Sequence, residues 1–85
     1  MSPTEMQLIA TLRSPVVRLD AICDTYLNMP IHRANDMASM HMLSVPTFRL
    51  SDSRKAPRMV KVSDLAELID TQAAQARAHW ENSQL

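Results

Sequence analysis

No glycine occurs anywhere in the 85 residues. Every backbone position with positive φ must therefore be taken by Asn, Asp, His or Ser, at some strain, or be avoided. Turns have to be made from Pro, Asn, Asp, Ser and His, and the Gly-rich loops that cradle phosphates are excluded outright. Under that constraint one stretch organises the chain, VPTFRLSDSRKAPRMVKVSDL over residues 45–65. Two short strand-like runs, Thr47–Leu50 and Met59–Val62, flank a polar loop at Ser51–Pro57 whose residues belong to turns rather than ladders. A helix start follows, with Ser63 or Asp64 as N-cap and Asp64-x-x-Glu67 as a capping box. The predicted order is strand, basic tip, strand, helix. Beside a helix pair, that is the wing of a winged helix-turn-helix.

The charge distribution agrees. The net charge is zero, which argues against a nucleic-acid binder that works by bulk charge alone. Residues 1–30 carry two bases and three acids, residues 31–61 six and two, and residues 62–85 one and four. Positive charge is thus confined to the middle third, as a basic footprint on an otherwise acidic protein would be. The bland reading is a solvated loop on a neutral protein.

Eighty-five residues make one domain, near the lower end of what buries an adequate core. No run of apolar residues is long enough to cross a membrane. No basic region followed by an apolar stretch opens the chain, so no signal peptide is expected. The lone Cys23 has no internal disulfide partner, and a reducing, cytoplasmic setting is expected. Seven methionines suit an irregular core and an adaptable interface equally well.

Along the chain, Met1–Glu5 reads as frayed, and Met6–Leu12 fits one helix face or a strand until Pro15 ends it. Residues 16–19 read as extended. The first clear helix is Asp20–Leu27, where Leu19, Ile22, Cys23, Tyr26 and Leu27 form a full apolar stripe. Asn28-Met29-Pro30 breaks it, with Asn28 suited to the left-handed conformation of a helix end and Pro30 to the next first turn. The second helix runs from Ile31 to about Met40. Ile31, Ala34, Ala38 and His41 gather on its packed side with Asn35 at the margin, and His32, Arg33, Asp36 and Met40 gather opposite. Helix, three-residue turn and helix is the layout of a helix-turn-helix. The last helix, Ser63 to about Glu81, is longer than so small a domain needs. Its shallow alanine surface ends in Trp80, which either folds back on the N-terminal run or makes an oligomer contact with Ala73 and Ala76.

Residues 17–26 (VRLDAICDTY), 45–50 (VPTFRL), 53–57 (SRKAP) and 60–66 (VKVSDLA), with the helix after them, resemble the pyocin activator (PrtN-type) family. These are small DNA-binding regulators of bacteria and their prophages. The resemblance covers roughly residues 6–80. More distantly the layout is similar to phage excisionases and the DNA-binding domains of MerR-type regulators. It implies a mainly α fold with a small β-hairpin, a single winged helix-turn-helix over residues 1–85 with a long C-terminal helix, and positive regulation of prophage or bacteriocin genes. The second helix departs from the family pattern. His32, Asp36 and several methionines stand where more Lys and Arg are expected, and Met40-His41 stands where such proteins usually place a glycine.

On double-stranded DNA, residues 31–41 would lie in the major groove. Arg33 would take guanine or phosphate, and His32 and Ser39 base edges or phosphates. Asn35 would pair with adenine, and Asp36 would accept from cytosine or pair with Arg33. The wing, residues 51–58, would meet phosphates or an adjacent minor groove through Ser53, Arg54, Lys55 and Arg58, flanked by Arg49 and Lys61. One short recognition helix reads few base pairs, so a homodimer or higher oligomer on repeated half-sites is expected. No enzyme, cofactor or metal is expected. The three histidines lack metal-ligand spacing with one another or with Cys23, and no serine has a paired His and acid. Two competing functions are a module that binds a partner protein through helix two and the C-terminal helix, and an excisionase-type directionality factor.

Overall fold

The computed structural model describes residues 1–84. Four helices and one small antiparallel sheet follow in the order α1 (Pro3–Leu12), β1 (Val16–Arg18), α2 (Leu19–Tyr26), α3 (Ile31–Ser39), β2 (Met59–Lys61) and α4 (Val62–Ser83), a mainly helical α+β fold.

The N-terminus is built rather than frayed. Ser2 caps α1, its hydroxyl accepting from the Glu5 N–H at 3.1 Å, and Pro3 occupies the first helical position where its missing N–H is harmless. That start settles Met6–Leu12 as helix. Ser14 and Pro15 turn the chain into β1, the Ser14 hydroxyl donating to the Val16 carbonyl at 2.6 Å.

The sheet corrects the expected hairpin. β2 pairs with β1, in the register Val16↔Lys61, Val17↔Val60 and Arg18↔Met59. The ladder is extended by Leu19 N–H to the Arg58 carbonyl (2.8 Å) and Val62 N–H to the Pro15 carbonyl (2.9 Å). Residues 47–50 supply only a single bridge on the other edge of β2. There the Phe48 N–H donates to the Met59 carbonyl at 3.0 Å and the Met59 N–H to that of Phe48 at 2.7 Å. Burial explains the preference: pairing with β1 puts Val17 and Val60 into the core together, whereas Pro46 and Pro57 cut short any ladder across the loop.

α4 starts one residue early and without a side-chain cap. β2 runs straight into it with Lys61 at the cap position, so neither Ser63 nor Asp64 caps and the Asp64–Glu67 box does not form. Asp64 still lies in the first turn, where the helix dipole favours it.

α1 packs on α4, and α2 on α3. Leu8, Val17, Leu19, Ile22, Cys23, Val60, Val62 and Leu65 make the core, and Ala34 lets α3 approach closely. Asn28 (φ 54°) and His41 (φ 57°) take positive φ as expected of their types, but so does Arg13 (φ 61°), outside the expected Asn, Asp, His and Ser, because it closes α1 in the left-handed conformation with its N–H on the Ile9 carbonyl. His41 closes α3 in a full Schellman motif, with Met42 N–H to the Met37 carbonyl (2.8 Å) and His41 N–H to that of Ala38 (3.1 Å). His41→Gly is expected to raise stability by about 1 kcal/mol, because the left-handed strain of a Cβ outweighs the added freedom of the unfolded chain. Urea unfolding of the two proteins checks it.

Candidate nucleic-acid interface

A cleft of about 570 Å³ opens between the outer face of α3 and the loop before β2. Ile31, Asn35, Asp36 and Ser39 line it from α3. Arg18, Leu19 and Asp20 come from the β1–α2 joint, and Arg49, Arg54, Lys55, Ala56, Pro57 and Arg58 from the loop. Five bases therefore face two acids on a chain whose net charge is zero.

Each wall has a local cause. α3 buries only Ala34 and Ala38, so a narrow stripe is packed and the rest of the helix is free. Asn35 consequently faces the cleft and not the core. Ile31, expected on the packed side, is 37% exposed and also faces the cleft. The Ser39 hydroxyl donates back to the Asp36 carbonyl at 2.7 Å, leaving its oxygen as an acceptor. No ion pair forms between Asp36 and Arg33, and Asp36 stands in the cleft without a cationic partner.

The loop holds its shape by short-range bonds. Ser51 and Ser53 hydroxyls accept from the N–H groups of Ser53 and Lys55, each at 3.2 Å, and the Ala56 N–H reaches the Ser53 carbonyl at 3.1 Å. Arg49 braces it by donating Nε–H to the Ala56 carbonyl at 3.1 Å. Arg54, Lys55 and Arg58 are thereby displayed along one rim without pairing to an acid.

Arg18 was not foreseen as a site residue. Its guanidinium forks onto Asp20, Nε to Oδ1 at 3.1 Å and Nη2 to Oδ2 at 2.8 Å, the one ion pair among the described residues. The hydrogen bond and then the charge of Asp20 raise the Arg18 pKa above its ordinary value, so this side chain is cationic at any working pH. Its place follows from the Arg18↔Met59 register, which brings it beside the loop that precedes β2.

Four expected site residues lie elsewhere. His32 and Arg33 are exposed on α3 but outside the cleft, Ser53 is occupied inside the loop, and Lys61 is exposed on β2 away from it. α3 ends at Ser39, short of residue 41, and spans about 13 Å. Among the described residues no group of three or more His, Cys, Asp or Glu is placed to hold a metal ion, and no helix is long and apolar enough to cross a membrane. Cys23 is buried, with its sulfur 3.9 Å from the Asp20 carbonyl.

The family model described as Pyocin activator protein PrtN matches residues 4–76, which include every residue lining the cleft. No curated protein and no solved structure gives a significant match.

Proposed function

The chain belongs to the pyocin activator (PrtN) family, regulators of pyocin genes, and from that membership together with the cleft we propose that it acts as a winged helix-turn-helix that binds double-stranded DNA. The observation that carries the proposal is the cleft itself: hydrogen-bonding side chains of α3 on one wall and, on the other, Arg49, Arg54, Lys55 and Arg58, none paired to an acid among the described residues.

α3 is narrow enough for a major groove about 12 Å wide. Asn35 would pair with adenine and the Ser39 oxygen would accept from a base edge, with Arg33 and His32 reaching bases or phosphates beyond the cleft. Arg54, Lys55 and Arg58 hold phosphates, joined by Arg18 and Arg49, which line the same cleft. These wing contacts fix register more than they read sequence. Lys61 acts only through the general field, and Ser53 acts by holding the loop. Two or more copies on repeated half-sites supply the remaining discrimination. On this reading the protein activates transcription in the cytoplasm, with no catalytic step and no cofactor.

A fluorescence anisotropy titration of a labelled duplex from a pyocin promoter region, against a scrambled duplex, tests this across a salt series. With about five phosphate contacts per copy, log affinity should fall against log salt with a slope near −4.5. Preference for the promoter duplex with that slope supports the proposal. A folded protein that binds neither duplex at low salt overturns it and favours a partner-protein role, for which the exposed Met40 and Met42 beside α3 would be the first surface to test.

Asp36 gives a second expectation. An unpaired acid beside a phosphate opposes binding by about 1 kcal/mol at about 4 Å in water. Asp36→Asn should therefore tighten binding to the scrambled duplex about five-fold, measured in the same titration.

A further inference from the structure

We propose that α4 is also a dimerisation element, and that the surface it uses is a second copy of itself in antiparallel orientation. This goes beyond the DNA assignment and does not rest on it, because none of the residues involved lines the cleft.

α4 is 22 residues, about 33 Å, but its buried residues are Val62, Leu65 and Ala66. α1 begins opposite Asp70, where the Thr4 hydroxyl donates to Oδ1 at 2.6 Å. Beyond Asp70 every described residue is exposed. The molecule measures 53 × 27 × 17 Å, and its radius of gyration is 14.6 Å against about 12 Å for a compact chain of this length. A projecting half-helix of this length is marginal by itself.

Its apolar pattern does not stop with the domain. Val62, Ala66, Ile69, Ala73, Ala76 and Trp80 follow one another at spacings of four and three, which is a coiled-coil seam. Val62 and Ala66 face this chain's own core, whereas Ala73, Ala76 and Trp80 face solvent, Trp80 at 60% exposure. A partner is missing from the outer half of the seam only.

The same helix carries the matching hole. A groove of about 400 Å³ lies at its base, between Leu68 and Ile69 on α4 and Tyr26 and Leu27 at the end of α2, all half-buried. Knob and hole are eleven positions apart on one rigid rod, about 16 Å. An antiparallel two-fold pair in which residue numbers sum to 149 seats Trp80 of each copy against Ile69 of the other. It also lays Ala73 on Ala76, where small side chains allow close approach. Such an interface is self-complementary and closes at two copies.

Charge agrees with this register. Asp70 and Arg77 lie seven apart on one flank of the seam. In an antiparallel pair like flanks meet, so Arg77 falls about 3 Å along the axis from Asp70 of the second copy, twice over. Asp70 keeps Oδ2 for it.

Sedimentation equilibrium of the full chain without DNA, through the micromolar range, tests the proposal. The mass should rise from 9.6 kDa towards twice that value, and emission from Trp80, the single tryptophan, should move to the blue as it does. Trp80→Ala should raise the dimer dissociation constant about 30-fold. Arg77→Asp and Asp70→Arg should each weaken the dimer, and the double variant should regain it. Circular dichroism shows whether each variant is folded, and among the described residues Arg77 makes no ion pair within its own chain that its loss would remove. A wild type that stays at 9.6 kDa, an unchanged Trp80→Ala variant, or a double variant no better than Arg77→Asp overturns the proposal. A chain that remains monomeric yet binds promoter DNA removes the dimer and leaves the DNA assignment standing.

Discussion

Replacing Arg54, Lys55 and Arg58 together by alanine should lower affinity for duplex DNA about 150-fold at roughly 0.15 M salt. The figure comes from counterion release: three lost phosphate contacts multiply the affinity by salt raised to about 2.7. The slope of log affinity against log salt should flatten by the same amount, from near −4.5 to near −2. Both changes should be equal for promoter and scrambled duplexes, because these side chains hold phosphates and do not read bases. The variant should fold normally. All three side chains sit on the loop rim without an acidic partner, and the loop is held by Ser51, Ser53 and the Arg49–Ala56 bond, which remain. Anisotropy titrations of the two proteins side by side measure the change. An unaltered slope would mean that the loop cations touch nothing, and the wing would be a solvated turn.

The largest effect on the fold is expected at Leu65. It is fully buried where the first turns of α4 meet the rest of the core, one of three leucine or isoleucine side chains, with Leu19 and Ile22, that are essentially without exposure. Leu65→Ala should destabilise by about 3–4 kcal/mol, the lost burial plus the cavity left behind. A chain of this length has only about 4–13 kcal/mol in total. The midpoint of thermal unfolding should drop by about 15–25 °C. Urea and thermal unfolding followed by far-ultraviolet circular dichroism check both. DNA affinity measured well below the midpoint should be unchanged, which separates loss of fold from loss of the interface.

Periodicity carried the helical part of the fold. The apolar stripe through Leu19, Ile22 and Cys23 and the alanines of the next helix place α2 and α3 within a residue or two of where the sequence puts them. The N-terminus was misjudged although its signal is present, Ser2-Pro3 followed by Glu5 being a helix start that needs no long periodic run behind it. The sheet was the harder failure. Thr47–Leu50 and residues 16–18 look alike as short extended runs, and sequence proximity favours the first as partner of β2. Burial decides for the second, since only β1 brings a valine to lie beside Val60 inside the core.

The site inherits those errors and successes. Arg49, Arg54, Lys55 and Arg58 were legible as a cluster in one short stretch, and they stay together because the loop folds locally. Arg18 was not legible, since its nearness to the wing exists only through pairing across forty residues of chain. Asn35 was set near the packed face by helical projection, but a helix that buries two alanines has a narrower packed stripe than projection assumes. The Trp80 alternative was open in the sequence. Its exposure closes the fold-back reading, because α1 is too short to reach it.

The most direct test is a titration of isotopically labelled protein with promoter duplex, followed residue by residue through backbone amide resonances in nuclear magnetic resonance spectra. Binding at the cleft predicts the largest shifts at Asn35, Asp36 and Ser39 on α3, along Arg49–Arg58, and at Arg18, with the outer half of α4 unmoved at constant oligomeric state. Shifts that leave α3 and the wing unchanged would contradict it, whatever the affinity.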